Sequence, residues 1–206
     1  MVDWRRMADG ETFTQKYFRY RGWIPLPLYL ALLAPIPGRR GADWMLWWGV
    51  GLGVVAFGSC FRLWSIRHIG KSARTRTEKT RPLVISGPYA IMRNPLYVAN
   101  ILIAGGFALC ACLPWYALVL VVLLFIHYHI VAICEEKGLH TRVGWEYEAY
   151  RGKVPRWLPR RLGPAFAYPA PNTIKETLYR ERSGILGVVA TIALLAGATW
   201  FYLTRG

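Results

Sequence analysis

The chain has 206 residues, of which 54% are hydrophobic and 18% charged, yet Lys and Arg outnumber Asp and Glu by 26 to 11. That length suits one domain or one bundle, and charge confined to a few segments between apolar runs indicates a membrane protein, not a basic soluble one. Basic residues beside apolar spans answer to the positive-inside bias and to anionic headgroups, so nucleic acid is not an expected partner.

Residues 1–21 are polar and mixed in charge, without the pattern of a signal peptide. Five apolar stretches follow, each expected to cross the membrane. The first, 22–37, is short and carries Pro25, Pro27, Pro35 and Pro37; the second, 43–66, opens with Trp44, Trp47 and Trp48, a cluster suited to the interface. The third and fourth, 95–113 and 115–134, are predicted to form a tight helical hairpin around Pro114. A connector over 137–182 is too polar to span. Its helical-looking stretch 136–150 and the aromatics Trp145, Tyr147, Tyr150 and Trp157 suggest a segment lying on the membrane surface. The fifth stretch, 184–203, ends on Trp200 and Tyr202 as interfacial anchors.

If all five cross, segments 1–21, 67–94 and 135–183 share one side and carry 5, 7 and 10 basic residues, against Arg39, Arg40 and Arg205 opposite. The positive-inside rule then makes the N-terminus and the connector cytoplasmic. The expected fold is an all-α integral membrane bundle of about five transmembrane helices with a cytoplasmic amphipathic connector.

Several motifs have plain explanations. Gly49, Gly51 and Gly53 lie in an apolar helix with no preceding strand, so they predict close helix packing, not a dinucleotide loop, and Gly105-Gly106 reads the same way. Cys60, Cys110, Cys112 and Cys134 lack metal-site spacing, and no metal is expected. His127 and His129, two apart on a helix, face different directions, but polar residues inside a span are functional candidates.

Two polar islands carry more. Ser86-Gly87-Pro88-Tyr89 runs into Arg93-Asn94-Pro95-Leu96-Tyr97 at the start of one span, and Glu135-Glu136 closes the next. Asn94-Pro95 is an ordinary helix opening, Asn capping and Pro taking the first position. Carboxylates at a helix C-terminus oppose its dipole unless a cation answers them. About forty residues of apolar hairpin return both islands to one face, which suggests a polar ligand site at the interface. A solvated Glu pair, matched to Lys137 or Arg142, is the plain alternative. A cationic ligand, an amine or a sulfonium, would suit the carboxylates and the faces of Tyr89 and Tyr97.

The run Arg81-Pro82-Leu83-Val84-Ile85-Ser86-Gly87-Pro88-Tyr89 with Arg93-Asn94-Pro95-Leu96-Tyr97 resembles the signature of isoprenylcysteine carboxyl methyltransferases and related phospholipid methyltransferases. So does Glu135-Glu136-x-x-Leu139 followed by Gly144-x-Glu146-Tyr147-x-x-Tyr150 and Val154-Pro155-Arg156. The resemblance implies a single membrane domain over 1–206, with N-terminal helices in 1–80, the cofactor core in 81–159, and a connector plus an extra C-terminal transmembrane helix in 160–206. It implies S-adenosyl-L-methionine as cofactor and a hydrophobic or lipid-like substrate entering from the bilayer. Arg81, Pro82, Leu83 and Val84 would line the adenosine pocket; Tyr89, Asn94, Pro95, Leu96 and Tyr97 would hold the rest, with Glu135 accepting hydrogen bonds from the cofactor. The family usually has His where this chain has Asn94, and its carboxyl methyltransferases place Arg where this chain has Val131, which argues against a prenylated carboxylate as acceptor.

Methyl transfer from a sulfonium is an in-line displacement that draws on proximity and exclusion of water. An amine acceptor must first lose a proton, and Glu136 or His129 would assist as catalytic residues. Two alternatives stand beside this reading. One is a membrane reductase of sterol-reductase type, using NADPH with the basic residues of 67–81 on its phosphates. The other is a non-catalytic membrane protein whose islands only cap and anchor.

Overall fold

In a computed structural model, residues 13–32, 43–69, 83–159 and 169–204 are described, and their regular structure is entirely helical. In chain order the helices are α1 (Phe13–Tyr20), α2 (Leu26–Ala31), α3 (Trp44–His68), a 3-10 turn at Gly87–Ala90, α4 (Pro95–Cys110), α5 (Pro114–Val143), α6 (Trp145–Lys153) and α7 (Ile174–Thr204).

Three of these, α3, α5 and α7, are long and apolar enough to cross a membrane. With 25, 30 and 31 residues they measure ~38, ~45 and ~46 Å at the α-helical rise, against a hydrocarbon core of about 30 Å. Helix α4, apolar but 16 residues long, measures ~24 Å. The first apolar stretch contains only the six-residue α2 among the described residues. Of the five full spans expected, the described residues hold three long helices and one shorter apolar helix.

Apolar side chains cover the outside as well as the core, as expected of helices facing lipid. Leu118, Val122, Phe125 and Ile126 of α5 and Leu186, Val189 and Leu194 of α7 are exposed. Small residues lie within: Ala99, Ala104, Ala108 and Cys110 of α4 have no accessible surface. The hairpin expected at Pro114 forms, with Pro114 opening α5 and Cys112 in the left-handed region at φ 58°.

The glycine string packs α3 on α4. A Cβ on Gly51 would lie 2.7 Å from the Cys110 amide nitrogen and 2.8 Å from the Gly106 carbonyl oxygen, and one on Gly106 would lie 2.8 Å from the Gly51 carbonyl. The two helices therefore touch backbone to backbone, which only glycine permits. A Cβ on Gly53 meets nothing within 4 Å. Gly51→Ala is expected to lower the unfolding midpoint in detergent, by overpacking worth about 1–3 kcal/mol, while Gly53→Ala is neutral or slightly stabilising. Equal effects at both positions would refute the seam.

Two boundaries differ from the sequence expectation. The fourth span does not end at Glu135-Glu136: α5 runs on to Val143, where Gly144 breaks it at φ 63°. The Glu pair lies in the helix interior, so the argument from an unanswered C-terminal dipole does not apply; the last turn carries His140 and Arg142 instead. The helical stretch expected over 136–150 is accordingly two helices, the end of α5 and α6. At the other boundary, α7 starts ten residues before the apolar run. Thr173 and Glu176 form a reciprocal capping box there, Glu176 N–H donating to Thr173 Oγ1 at 3.2 Å and Thr173 N–H to Glu176 Oε2 at 3.0 Å. Buried Asn172 ties this corner to the end of α3, its amide donating to the carbonyls of Arg67 (2.9 Å) and Ile69 (2.7 Å).

Candidate active site

The polar ends of α4 and α5 are bound together by the segment that follows α6. Val154-Pro155-Arg156 passes back over the start of α4, where Arg93 N–H donates to the Pro155 carbonyl at 2.9 Å and the Asn94 amide to the Arg156 carbonyl at 3.3 Å. Asn94 occupies the N-cap position but makes no side-chain cap bond. Its amide is spent on the strap, correcting the expectation that it caps α4.

Glu136 is the centre of this strap. The Arg156 guanidinium grips it with two bonds, Nε to Oε1 at 2.9 Å and a terminal nitrogen to Oε2 at 2.8 Å. Arg93 adds a third contact at 3.3 Å and donates to the Tyr147 hydroxyl at 3.2 Å. Hydrogen bonding to Glu136 holds the Arg156 guanidinium above the usual arginine range. Burial, then the Glu136 charge, pushes the Tyr147 phenol up; burial does the same to Tyr150, which donates to the Tyr89 carbonyl at 2.7 Å. The cations at ion-pair distance from Glu136 are therefore Arg93 and Arg156, while Arg21 and Arg142 act on Glu135 only at longer range.

Glu135 faces the other way. It lies within hydrogen-bonding reach of the Tyr97 hydroxyl and has no cation at ion-pair distance among the described residues. The Tyr97 ring stacks on Tyr128 with centroids 4.7 Å apart. Tyr128 in turn accepts from the Asn100 amide at 3.3 Å; Asn100 accepts from Arg62, and Arg62 Nε pairs with Glu181 of α7 at 2.7 Å. A chain of polar side chains thus crosses the bundle from α7 to Tyr97. Beside it is a cavity of about 280 Å³ between the segment from Arg21 to Tyr29, α4 and α5, whose lining includes Arg21, Tyr29, Tyr97, His127, Tyr128 and Val131.

The residues expected at the site fall into two groups. Tyr97 lines the cavity, with Glu135 in reach of its hydroxyl; Tyr89, Asn94 and Glu136 belong to the strap. Pro95 is buried as the first residue of α4 and Leu96 is half-buried beside it. Leu83 and Val84 are half-buried in the irregular chain leading to Ser86, whose hydroxyl is 3.1 Å from His68 Nδ1. Arg81 and Pro82 lie outside the described residues. His129 accepts from Trp157 Nε1 at 3.2 Å and stacks on its ring, away from the cavity lining. His127 lines the cavity in its place. Arg93 and Arg156 were within the motifs without an assigned role, and their double contact to one glutamate required the fold.

An all-helical bundle with three membrane-crossing helices and a polar site strapped at the helix ends defines an integral membrane protein with an interfacial pocket. The phospholipid methyltransferase family model matches residues 46–143, which covers α3 through α5. Over 148 residues the chain is 28% identical to protein-S-isoprenylcysteine O-methyltransferase B of Arabidopsis thaliana, covering 70% of this chain and 74% of that protein. No solved structure matches significantly. The chain is thus similar to membrane methyltransferases of the phospholipid and isoprenylcysteine types.

Proposed function

We propose that the protein uses S-adenosyl-L-methionine to methylate a lipid-like acceptor that enters from the bilayer, with its N-terminus and cofactor site cytoplasmic. The observation that carries this reading is the division of labour within the Glu pair. Glu136 is saturated by two guanidiniums, whereas neighbouring Glu135 is held by Tyr97, a cavity-lining tyrosine, and leaves its charge unmatched by an ion pair among the described residues. A half-buried carboxylate in that state suits a cationic ligand.

The donor set also fits the cofactor's amino-acid end. Arg93 Nε is buried with no acceptor among the described residues, a vacancy a carboxylate would satisfy. Glu135 would face the ammonium or sulfonium, Tyr89 and Asn94 to Tyr97 would flank it, and Arg81 to Val84 would line the adenosine. The cofactor, when bound, supplies an electrophilic methyl group. The protein orients the acceptor and excludes water, the strap over 154–156 closing the polar side. Residues 81–159 are then the cofactor core, with 1–80 and 160–206 framing it.

Calorimetric titration of the detergent-purified protein with the demethylated cofactor tests this. Glu135→Gln is expected to weaken binding about 10- to 100-fold, the range for losing a hydrogen bond to a charged group. Undiminished affinity in the variant would remove Glu135 from the site, and absence of binding to the folded wild-type protein would end the cofactor assignment.

A further inference from the structure

We propose that the cavity between residues 21–29, α4 and α5 holds an apolar molecule by a neutral carbonyl oxygen, with the hydroxyls of Tyr29 and Tyr128 as its two hydrogen-bond donors. That this molecule is the methyl acceptor, anchored by its carbonyl and methylated elsewhere on its frame, rests on the reading above; the recognition of a carbonyl does not.

The observation behind it is a tyrosine that nothing in the wall answers. Tyr29 is half-buried on α2 and lines the cavity, and its hydroxyl makes no hydrogen bond among the described residues. Nor is that hydroxyl one of the sealed, unpartnered polar atoms of the described bundle, which are Trp48 Nε1, Ser59 Oγ, Arg93 Nε and His127 Nε2. The other polar side chains of the wall are engaged. The Arg21 guanidinium lies on the Phe18 carbonyl and ring, His127 on the Tyr17 hydroxyl, Tyr97 on Glu135, and Tyr128 on Asn100. The polar chain behind the wall then fixes what the two phenols offer. Arginine can only donate, so Arg62 takes the Asn100 carbonyl oxygen and leaves the amide N–H to donate to Tyr128. Tyr128 is an acceptor on that side, and its own hydrogen finds no acceptor among the described residues. The Arg62 charge acts on both phenols, which are within electrostatic reach of each other. A cation behind them draws the oxygens toward itself and turns the O–H hydrogens away.

Two donors without an acceptor narrow the ligand. A carbonyl oxygen has two lone pairs and brings no hydrogen of its own, so it completes both phenols at once. A ligand hydroxyl would bring a donor to a wall whose side-chain acceptors are already engaged. An ammonium would meet Arg62 as a like charge. Arg62 is paired with Glu181, and the Glu135 carboxylate lies just beyond Tyr97, so a carboxylate or phosphate gains no free cation at the phenols and meets a like charge. An ester, a ketone or a quinone carries the oxygen without the charge. The ring of Tyr97, stacked on Tyr128, offers a flat face to the rest of the molecule, and Pro25, Leu26 and Val131 supply apolar wall.

The test uses the purified protein without cofactor and two probes of one shape. One is a dialkylaminonaphthyl ketone, whose emission moves to the red when its carbonyl is hydrogen-bonded; the other has CH2 in place of the carbonyl. After correction for partition into detergent, the ketone is expected to bind about 10-fold tighter than the hydrocarbon, the scale of one to two net hydrogen bonds. Tyr29→Phe removes a single oxygen atom and should cut that advantage to about 3-fold or less, the share of one bond. Tyr29→Phe with Tyr128→Phe should abolish it, and in both variants the hydrocarbon keeps its affinity, which certifies the fold. Equal affinities in the wild-type protein, the result if water answers Tyr29, overturn the proposal. So do an absence of saturable binding and an advantage that survives the double variant. Emission from the wild-type protein alone decides where a variant misfolds: the bound ketone should emit to the red of the ketone in detergent, and emission without that shift overturns the assignment. Since no cofactor is present, failure here leaves the methyltransferase reading standing, and failure of cofactor binding leaves this one standing.

Discussion

Glu181→Gln is expected to destabilise the bundle by about 3 kcal/mol, seen as a lower thermal midpoint in detergent. Glu181 is 6% exposed on α7, and its only described ion pair is with Arg62 of α3, at 2.7 Å. Removing one member of a buried pair costs about 3–5 kcal/mol because the other charge stays behind without compensation. The lower end applies because the Arg62 side chain keeps 27% of its surface exposed and can partly re-solvate. Arg62 also holds Asn100, which holds Tyr128, so the loss is expected to propagate to the cavity wall. Replacing both charges, Arg62→Met with Glu181→Leu, should recover most of the stability, since an apolar pair of similar volume often does no worse than a buried ion pair. A double variant as unstable as the single one would show that the ion pair supplies stability that apolar packing does not replace. A neutral Glu181→Gln would show that α7 is attached without its charge.

This pair also shows what the sequence left unread. Arg62 stands out as a cation in an apolar span, but its partner is 119 residues away, on a helix whose apolar run begins only at 184. Hydropathy marks where a chain enters lipid; it does not mark where the helix's hydrogen bonds begin. The same gap misplaced both ends, since α7 starts at Ile174 and α5 continues to Val143 past the Glu pair. The stops and starts were nevertheless written locally, as Gly144 beyond the last turn of α5 and as Thr173-x-x-Glu176 ahead of α7. The packing role of Gly51 and Gly106 was legible because small residues in an apolar helix have few other uses. The choice between His127 and His129 was not, because it depends on which face of α5 meets α1 and α2, and no local pattern sets that.

Glu136→Gln is expected to weaken cofactor binding at least 100-fold, as a consequence of opening the strap. Glu136 is 12% exposed in its side chain and is the common acceptor of Arg93 and Arg156, so the neutral amide leaves two guanidiniums facing each other. Their repulsion, with the loss of two charge-assisted bonds from Arg156, is worth about 3–5 kcal/mol on the scale of broken buried pairs. That strain falls on the segment around Pro155 and Arg156, which is held to α4 by the Arg93 and Asn94 hydrogen bonds. The site's polar wall should therefore loosen before the bundle melts, which limited proteolysis after α6 would detect. A glutamate acting instead as the proton acceptor of the reaction would give a different signature: Glu136→Gln would bind the demethylated cofactor normally, resist proteolysis like the wild-type protein, and lose only turnover. Arg156→Lys separates the two further, because lysine keeps the charge but cannot reproduce the two-point grip on Glu136. If the strap is what matters, Arg156→Lys should weaken cofactor binding too, by less than Glu136→Gln. If Glu136 acts on protons, Arg156→Lys should leave binding unchanged.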